Sequence, residues 1–171
     1  MKFSRFLLPP FVISFYAWAK HGVRISPRSE VELSGNLVME RGVNIASYCK
    51  IKSSAGPLRI GAGTQLAPFC FITSHTGGLE IGRDCMIGPS ATITANGYRY
   101  DSLEVPIRHQ EQTSSGIRIG DDVWIAAGAV ILDGADIGSG SIISPNSVVS
   151  GRIPENSVVQ GSPAKVIFTR R

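Results

Sequence analysis

From Ile119 onward an aliphatic residue falls at every sixth position: Ile119, Ile125, Ile131, Ile137, Ile143 and Val149. The same register appears earlier in hexads opening at Ile60, Leu66 and Ile72, and again at Ile81, Ile87 and Ile93, with a degenerate version from Ile25. A six-residue period fits neither the 3.6-residue turn of an amphipathic helix nor the two-residue alternation of a long strand. Internal repetition outranks local propensity as a fold signal. The pattern predicts a solenoid in which each hexad forms one side, a short strand and a tight turn. Three sides close a coil of about 18 residues, and each aliphatic residue stacks on those of neighbouring coils.

Within each hexad the fifth residue is small or β-branched: Thr64, Cys70, Cys85, Ala91, Val123, Ala129, Ala135, Ser141 and Ser147. That position is predicted to point inward, where a large side chain would collide. Cys49 obeys the same rule if Ile45 opens a hexad, so all three cysteines read as small buried hydrophobes. Three cysteines without CxxC spacing argue against a disulfide framework and against a structural zinc site, and favour a reducing cytoplasm.

Composition narrows the class. Hydrophobic residues make up 43% of the 171 residues and charged ones 18%, with 19 glycines and 10 prolines, which points to one turn-rich all-β domain. The net charge of +4 arises without any basic run, which excludes a nucleic-acid platform and allows only a mild pull on an anionic small molecule. At the N-terminus Lys2 and Arg5 precede the stretch FLLPPFVISFYAWA. It is shorter than the roughly 20 residues of a spanning helix, and Pro9 and Pro10 interrupt it. The expectation is an apolar cap segment over 1–22 followed by a solenoid domain over 23–171. Contact of that segment with the inner face of a membrane is the alternative role.

Chemistry in a solenoid is best sought where the period fails, because an insertion builds a surface feature on one side. ITSHTGGLE delays the return of the register from Ile72 to Ile81, and NGYRYDSLEVPIRHQEQTSSG, from Asn96 to Gly116, delays it further. A connection of that length is functional or disordered. A protruding loop near 97–116 that folds over a site is expected. Ile72 and Ile93 are 21 residues apart, so His75 and Asn96 occupy corresponding places in successive coils.

The hexads resemble those of the hexapeptide-repeat acyltransferases over residues 25 to 170. The resemblance implies a left-handed parallel β-helix, a homotrimer with sites between subunits, and acetyl-CoA as co-substrate. Many sugar acetyltransferases of this superfamily carry a histidine just before the long loop, where this chain has ANGYRYD and none. The segment SHTGGLEIG is similar to that of the serine acetyltransferase branch, which implies His75 as the base, and IRHQ offers His109 as a second histidine. Ser74 stands where that branch has an aspartate, leaving a backbone carbonyl, Asp101 or Glu80 to orient the ring. A histidine titrating near neutral pH can take the acceptor's proton and return it to the CoA thiolate, contributing about 10²–10⁴ in rate. Asn96 beside it is a candidate oxyanion donor. By the same resemblance Trp124, Ala126 and Ala127, in VWIAAG, line the pantetheine channel. Gly161, Pro163, Ala164 and Lys165, in GSPAKVI, border the CoA nucleotide, with Arg170 or Arg171 adding charge.

These readings imply an acetyl-CoA-dependent O-acetyltransferase acting on a sugar or polysaccharide hydroxyl by direct transfer, without a metal. Serine O-acetylation, amino-sugar N-acetylation and a silent trimeric scaffold are the alternatives. A zinc-dependent carbonic-anhydrase-like β-helix needs three converging histidines, and His21, His75 and His109 are the whole supply, with His21 outside the repeat.

Overall fold

The hexad residues form one interior column on each of three parallel sheets, wound as a left-handed β-helix. The computed structural model describes residues 9–171. Residues 1–8, the first part of the expected cap segment 1–22, lie outside the described residues. Face one stacks Arg24–Ile25, Asn44–Ile45, Gln65–Leu66, Met86–Ile87, Trp124–Ile125, Ile142–Ile143 and Ser157–Gln160. Face two stacks Glu30–Val31, Lys50–Lys52, Phe71–Thr73, Thr92–Thr94, Val130–Leu132 and Val148–Val149. Face three stacks Leu37–Met39, Leu58–Ile60, Leu79–Ile81, Ile117–Ile119, Asp136–Ile137 and Arg152–Ile153.

Strand registers place Ile45, Leu66, Ile87, Ile125 and Ile143 in one file, and Ile51, Ile72, Ile93, Ile131 and Val149 in the next. Each of these is at most 2% exposed, and full burial of such a side chain contributes about 1.5–3 kcal/mol. All ten fifth-position residues, Cys49 included, are likewise buried. Cys49 and Cys70 each direct Sγ to the Ala67 carbonyl at 3.1 Å, and Cys85 to that of Gly120 at 3.1 Å. The thiols thus meet backbone acceptors inside the coil, as small core residues do.

The coils are not uniform, and here the structure corrects the expected 18 residues. The steps from Ile119 to Ile137, Ile125 to Ile143 and Ile131 to Val149 are 18; the register runs 20 from Ile25 to Ile45 and 21 from Ile45 to Leu66 and from Leu66 to Ile87. The surplus collects at the corner between faces two and three, in residues 32–36, 53–57 and 74–78 and in the long segment after Ala95. The break at His75 is therefore one member of a stacked series. In the long segment Gly97–Tyr98 pairs antiparallel with Gln112–Thr113, and the short 3-10 turn Ile107–His109 lies between the two strands. Gln110 Nε2 donates to the carbonyls of Ser102 (2.9 Å) and Val105 (2.8 Å), so the segment is a built arm.

Both ends of the coil are covered. Helix Pro10–His21 starts with proline at its first turn, where the missing N–H is no loss, and stops at Gly22 in the left-handed conformation (φ 65°). It buries Ala17 against Val23 over the first coil. At the other end Lys165–Thr169 runs antiparallel to Ser157–Gln160 and covers that edge. Among the described residues no helix is long and apolar enough to cross a membrane.

Two outcomes follow from this packing. Ile72→Ala, at 0% exposure in mid-solenoid, lowers unfolding free energy by about 2–5 kcal/mol in a denaturant titration. All three cysteines resist Ellman's reagent in the native protein and react once it is unfolded.

Candidate active site

The corner between faces two and three is set by backbone contact between coils. A Cβ at Gly56 would overlap the His75 carbonyl, and one at Gly77 would meet the backbone of Ser114 and Gly116. Only glycine lets the successive turns approach this closely. The arm is clamped to this corner as it returns: Ser114 Oγ donates to the Ala95 carbonyl (2.7 Å) and accepts from Gly77 N–H (2.9 Å). Both Asp133 carboxylate oxygens take the N–H groups of Ser115 and Gly116 at 2.8–3.0 Å.

His75 and Asn96 sit one above the other, as the 21-residue offset requires, because Ile72 pairs with Ile93 and Thr73 with Thr94. Both are half-buried. A polar chain runs along the edge: Thr73 Oγ1 donates to Thr94 Oγ1 (3.3 Å), which donates to Asn96 Oδ1 (3.1 Å). With its oxygen engaged, the Asn96 amide keeps its NH₂ for another partner. His75 Nδ1 lies 3.2 Å from Thr76 Oγ1. When Nδ1 carries the proton toward that hydroxyl, Nε2 keeps a lone pair and can act as a base. No hydrogen bond joins His75 to Asn96.

Other expected partners of His75 are occupied elsewhere. The buried Ser74 hydroxyl donates to the Pro57 carbonyl and so does not orient the ring. Asp101 is held by Arg99 at 2.7 Å, and that guanidinium keeps its carboxyl below the usual range. Glu80 stands outward on face three in line with Arg59 and Arg118. His109 lies exposed on the arm, with Nε2 accepting from Arg108 Nε–H at 2.9 Å. The lone pair a base would use there is already taken, and among the described residues no hydrogen bond joins His109 to His75.

A cleft of about 440 Å³ opens on face three beside this corner, lined by Gly77, Gly78, Arg59, Glu80, Gly116 and Arg118 among others. Arg59 and Arg118 escape a sequence reading because outward positions of a hexad carry no periodic signal. The sign of the outward file, Arg59, Glu80, Arg118, Asp136, Arg152, could have flagged it once the register was known.

The donor-side candidates gather on a different corner, between faces one and two. Trp124, 45% exposed, stands outward on face one between Met86 and Ile142. The chain then turns through Ala126, which is buried, and Ala127, which is exposed and accepts from Asn146 N–H (3.0 Å). Gly161 lies above, at φ 104°, with its N–H on Ser147 Oγ (3.1 Å) and its carbonyl taking Val148 N–H (3.0 Å). Ala164 N–H reaches the Val148 carbonyl (2.8 Å), which seats Pro163 and the exposed Lys165 over the same corner. Arg170 turns away, donating to the Gly140 carbonyl and lying 3.9 Å from Asp122. Among the described residues no three His, Cys, Asp or Glu side chains gather as a metal site.

Residues 116–151 match the family described as bacterial transferase hexapeptide (six repeats). Over 74 residues, 43% of this chain and 25% of the relative, the chain is 39% identical to Rv3034c of Mycobacterium tuberculosis, an acetyltransferase by name. Over 66 residues, 39% of this chain and 34% of the relative, it is 42% identical to WbbJ of Escherichia coli, by name a lipopolysaccharide biosynthesis O-acetyl transferase. The aligned part thus spans a quarter to a third of these relatives. Among solved structures, a variant of AntD, an N-acyltransferase from Bacillus cereus in complex with dTDP and coenzyme A, superposes with a TM-score of 0.77 at 19% identity. That match covers 87% of this chain and 81% of AntD, and establishes the likeness of fold.

The corner geometry predicts a graded glycine series. Gly56→Ala forces a Cβ into the His75 backbone and destabilises by about 1–3 kcal/mol. Gly35→Ala, in the same corner of the first coil with open space around it, changes stability by less than about 0.5 kcal/mol. Thermal denaturation of the two variants checks the difference.

Proposed function

We propose that the chain is a hexapeptide-repeat transferase, as the match over residues 116–151 supports, and that it is an acetyl-CoA-dependent O-acetyltransferase acting on a hydroxyl of a sugar or polysaccharide precursor. The observation that carries this reading is the pair His75 and Asn96, stacked at the foot of a built arm, with a lone-pair nitrogen and a free amide NH₂ offered from one corner. In the proposed step His75 Nε2 removes the acceptor's proton as its oxygen attacks the thioester carbonyl. Asn96 Nδ2 donates to the oxyanion that forms. The intermediate collapses by breaking the C–S bond, and His75 returns the proton to the departing CoA sulfur, so no acyl-enzyme is made.

Trp124, Ala126 and Ala127 would line the pantetheine arm of CoA, and Gly161, Pro163, Ala164 and Lys165 would border its nucleotide, with Lys165 offering charge to phosphate. These groups lie one corner away from His75, so the reading requires a homotrimer in which one subunit supplies the base and another the donor channel. The exposed arm residues Tyr100, Leu103 and Ile107 support a neighbour's presence. The O-acetyl reading draws on the name of WbbJ, and a carbohydrate acceptor suits the charged cleft of face three. The serine branch is disfavoured by the Ser74 hydroxyl, which faces Pro57 instead of the imidazole. An enzyme using acetyl-CoA and nucleotide-linked or lipid-linked sugars belongs to the cytoplasm or the inner face of its membrane.

Thiol release from acetyl-CoA with a panel of sugar, amino-sugar and serine acceptors tests the proposal. His75→Ala is expected to lower kcat by about 10²–10⁴ and Asn96→Ala by about 10²–10³. His109→Ala should stay close to wild type, and Lys165→Ala should raise KM for acetyl-CoA with little change in kcat. Full activity in His75→Ala would overturn the assignment; loss in His109→Ala alone would move the role of base to the arm. An amine in place of a hydroxyl as the best acceptor would make the enzyme an N-acetyltransferase.

A further inference from the structure

Helix Pro10–His21 is apolar nearly all the way round, yet among its residues of described burial only Ala17 is fully buried. A helix with that composition normally lies inside protein or lipid. At 100° per residue Phe11, Phe15 and Trp18 form one stripe pointing away from the coil, flanked by Tyr16, and they are 65%, 66%, 54% and 51% exposed. Four aromatic side chains on a single 12-residue helix are thereby left without cover from the described chain.

The charge around the helix is as uneven as its hydropathy. The first 29 residues hold five basic side chains and no acidic one, whereas the remaining 142 hold 12 basic against 13 acidic. The whole positive charge of the molecule therefore originates in this segment. The helix has no acid; Lys20 and His21 end it, with Arg24 beyond. The Arg41 side chain packs beside its Gly22 cap. Lys20 Nζ sits 5.2 Å from the Tyr16 ring centre and donates to its hydroxyl at 2.7 Å, an aromatic and cation pair suited to an interface between apolar and polar media. Among the described residues no carboxylate lies within ion-pair distance of Lys20, Arg24, Arg28 or Arg41.

We infer that this helix lies flat on an anionic lipid bilayer, with Phe11, Phe15 and Trp18 in the acyl boundary and the basic side chains among the headgroups. Twelve residues make about 18 Å of helix, too short to cross a bilayer and long enough to lie in its surface. The charge selects the partner. An apolar stripe alone would suit a second copy of the chain, but a second copy brings the same uncompensated cations into contact, whereas anionic headgroups neutralise them. The inference stands whether or not the chain proves to be a transferase.

Trp124→Phe leaves Trp18 as the sole indole of the full chain, a reporter that sits in the proposed contact. Its emission is expected to shift to the blue on adding phosphatidylcholine vesicles that contain phosphatidylglycerol, and not on adding phosphatidylcholine alone. Co-sedimentation of the wild-type chain with the anionic vesicles should be lost in Phe15→Glu with Phe11→Glu. It should weaken by about fivefold per charge in Lys20→Gln and Arg24→Gln and fall with added salt. Circular dichroism and denaturation of the double glutamate variant establish that the coil is intact. No shift and no sedimentation with anionic vesicles overturns the inference. Equal binding to neutral vesicles removes the role of charge and overturns it as stated. A blue shift that depends on protein concentration without lipid assigns the face to a second copy instead.

Discussion

Everything in this molecule depends on like stacking on like along the coil axis. Each interior aliphatic residue meets the corresponding residue of the next coil, and each backbone N–H of a strand reaches a carbonyl one coil away. Close packing and hydrogen-bond pairing are then satisfied by the same translation. A one-residue slip would reverse inward and outward side chains on every face, so register tolerates change only where no strand is interrupted. That restricts insertions to corners.

Three corners are available, and the chain uses one of them. Surplus residues collect between faces two and three in four successive coils, ending in the arm after Ala95. Glycines at 56 and 77 let these turns nest with backbone against backbone. The other two corners stay tight through residues in the left-handed conformation, among them Asp84, Asp122, Asn146 and Asn156, side chains that tolerate it. Tyr48 and Phe69 share that backbone despite their bulk, and their rings stack at 5.1 Å with 9° between planes. Stacking and the neighbouring coils together hold a conformation neither aromatic would choose alone.

The fold was legible in the sequence because its signal is repetitive: Ile125, Ile131 and Ile137 each report the same constraint, and Cys49, Cys70 and Cys85 fall into place as its small inward members. The coil length was less legible, since an 18-residue arithmetic assumes that every corner is equally tight. Residues 32–36 and 53–57 carry no hexad, so their kinship with 74–78 appears only once strands are paired. At the candidate site the stacking of His75 and Asn96 followed from an offset of 21. Which acceptor meets each side chain did not. Ser74 turning to Pro57, Arg108 occupying His109, and Arg170 reaching Gly140 are contacts between segments 17 to 30 residues apart, or rotamer choices of adjacent ones. No local pattern encodes them.

The rigidity that makes the fold legible also limits how a site can be assembled. Face two, two to three residues wide, separates the corner of His75 from the corner of Trp124, Ala127 and Gly161, and its interior file from Ile51 to Val149 is fully buried. A close-packed coil has no hinge by which those corners could approach one another. The arm is a long segment inserted into the ladder, and it is tied at its base by Ser114 and Asp133 and braced within by Gln110. Its freedom is therefore small, and its apolar tip at Leu103 is fully exposed. If the proposed roles hold, convergence of the base with the donor channel would come from placing a second coil beside the first, where one chain's corner meets another's. Under the proposed roles a parallel assembly of coils would be part of the chemistry itself, since the two candidate corners of one chain stand on either side of face two.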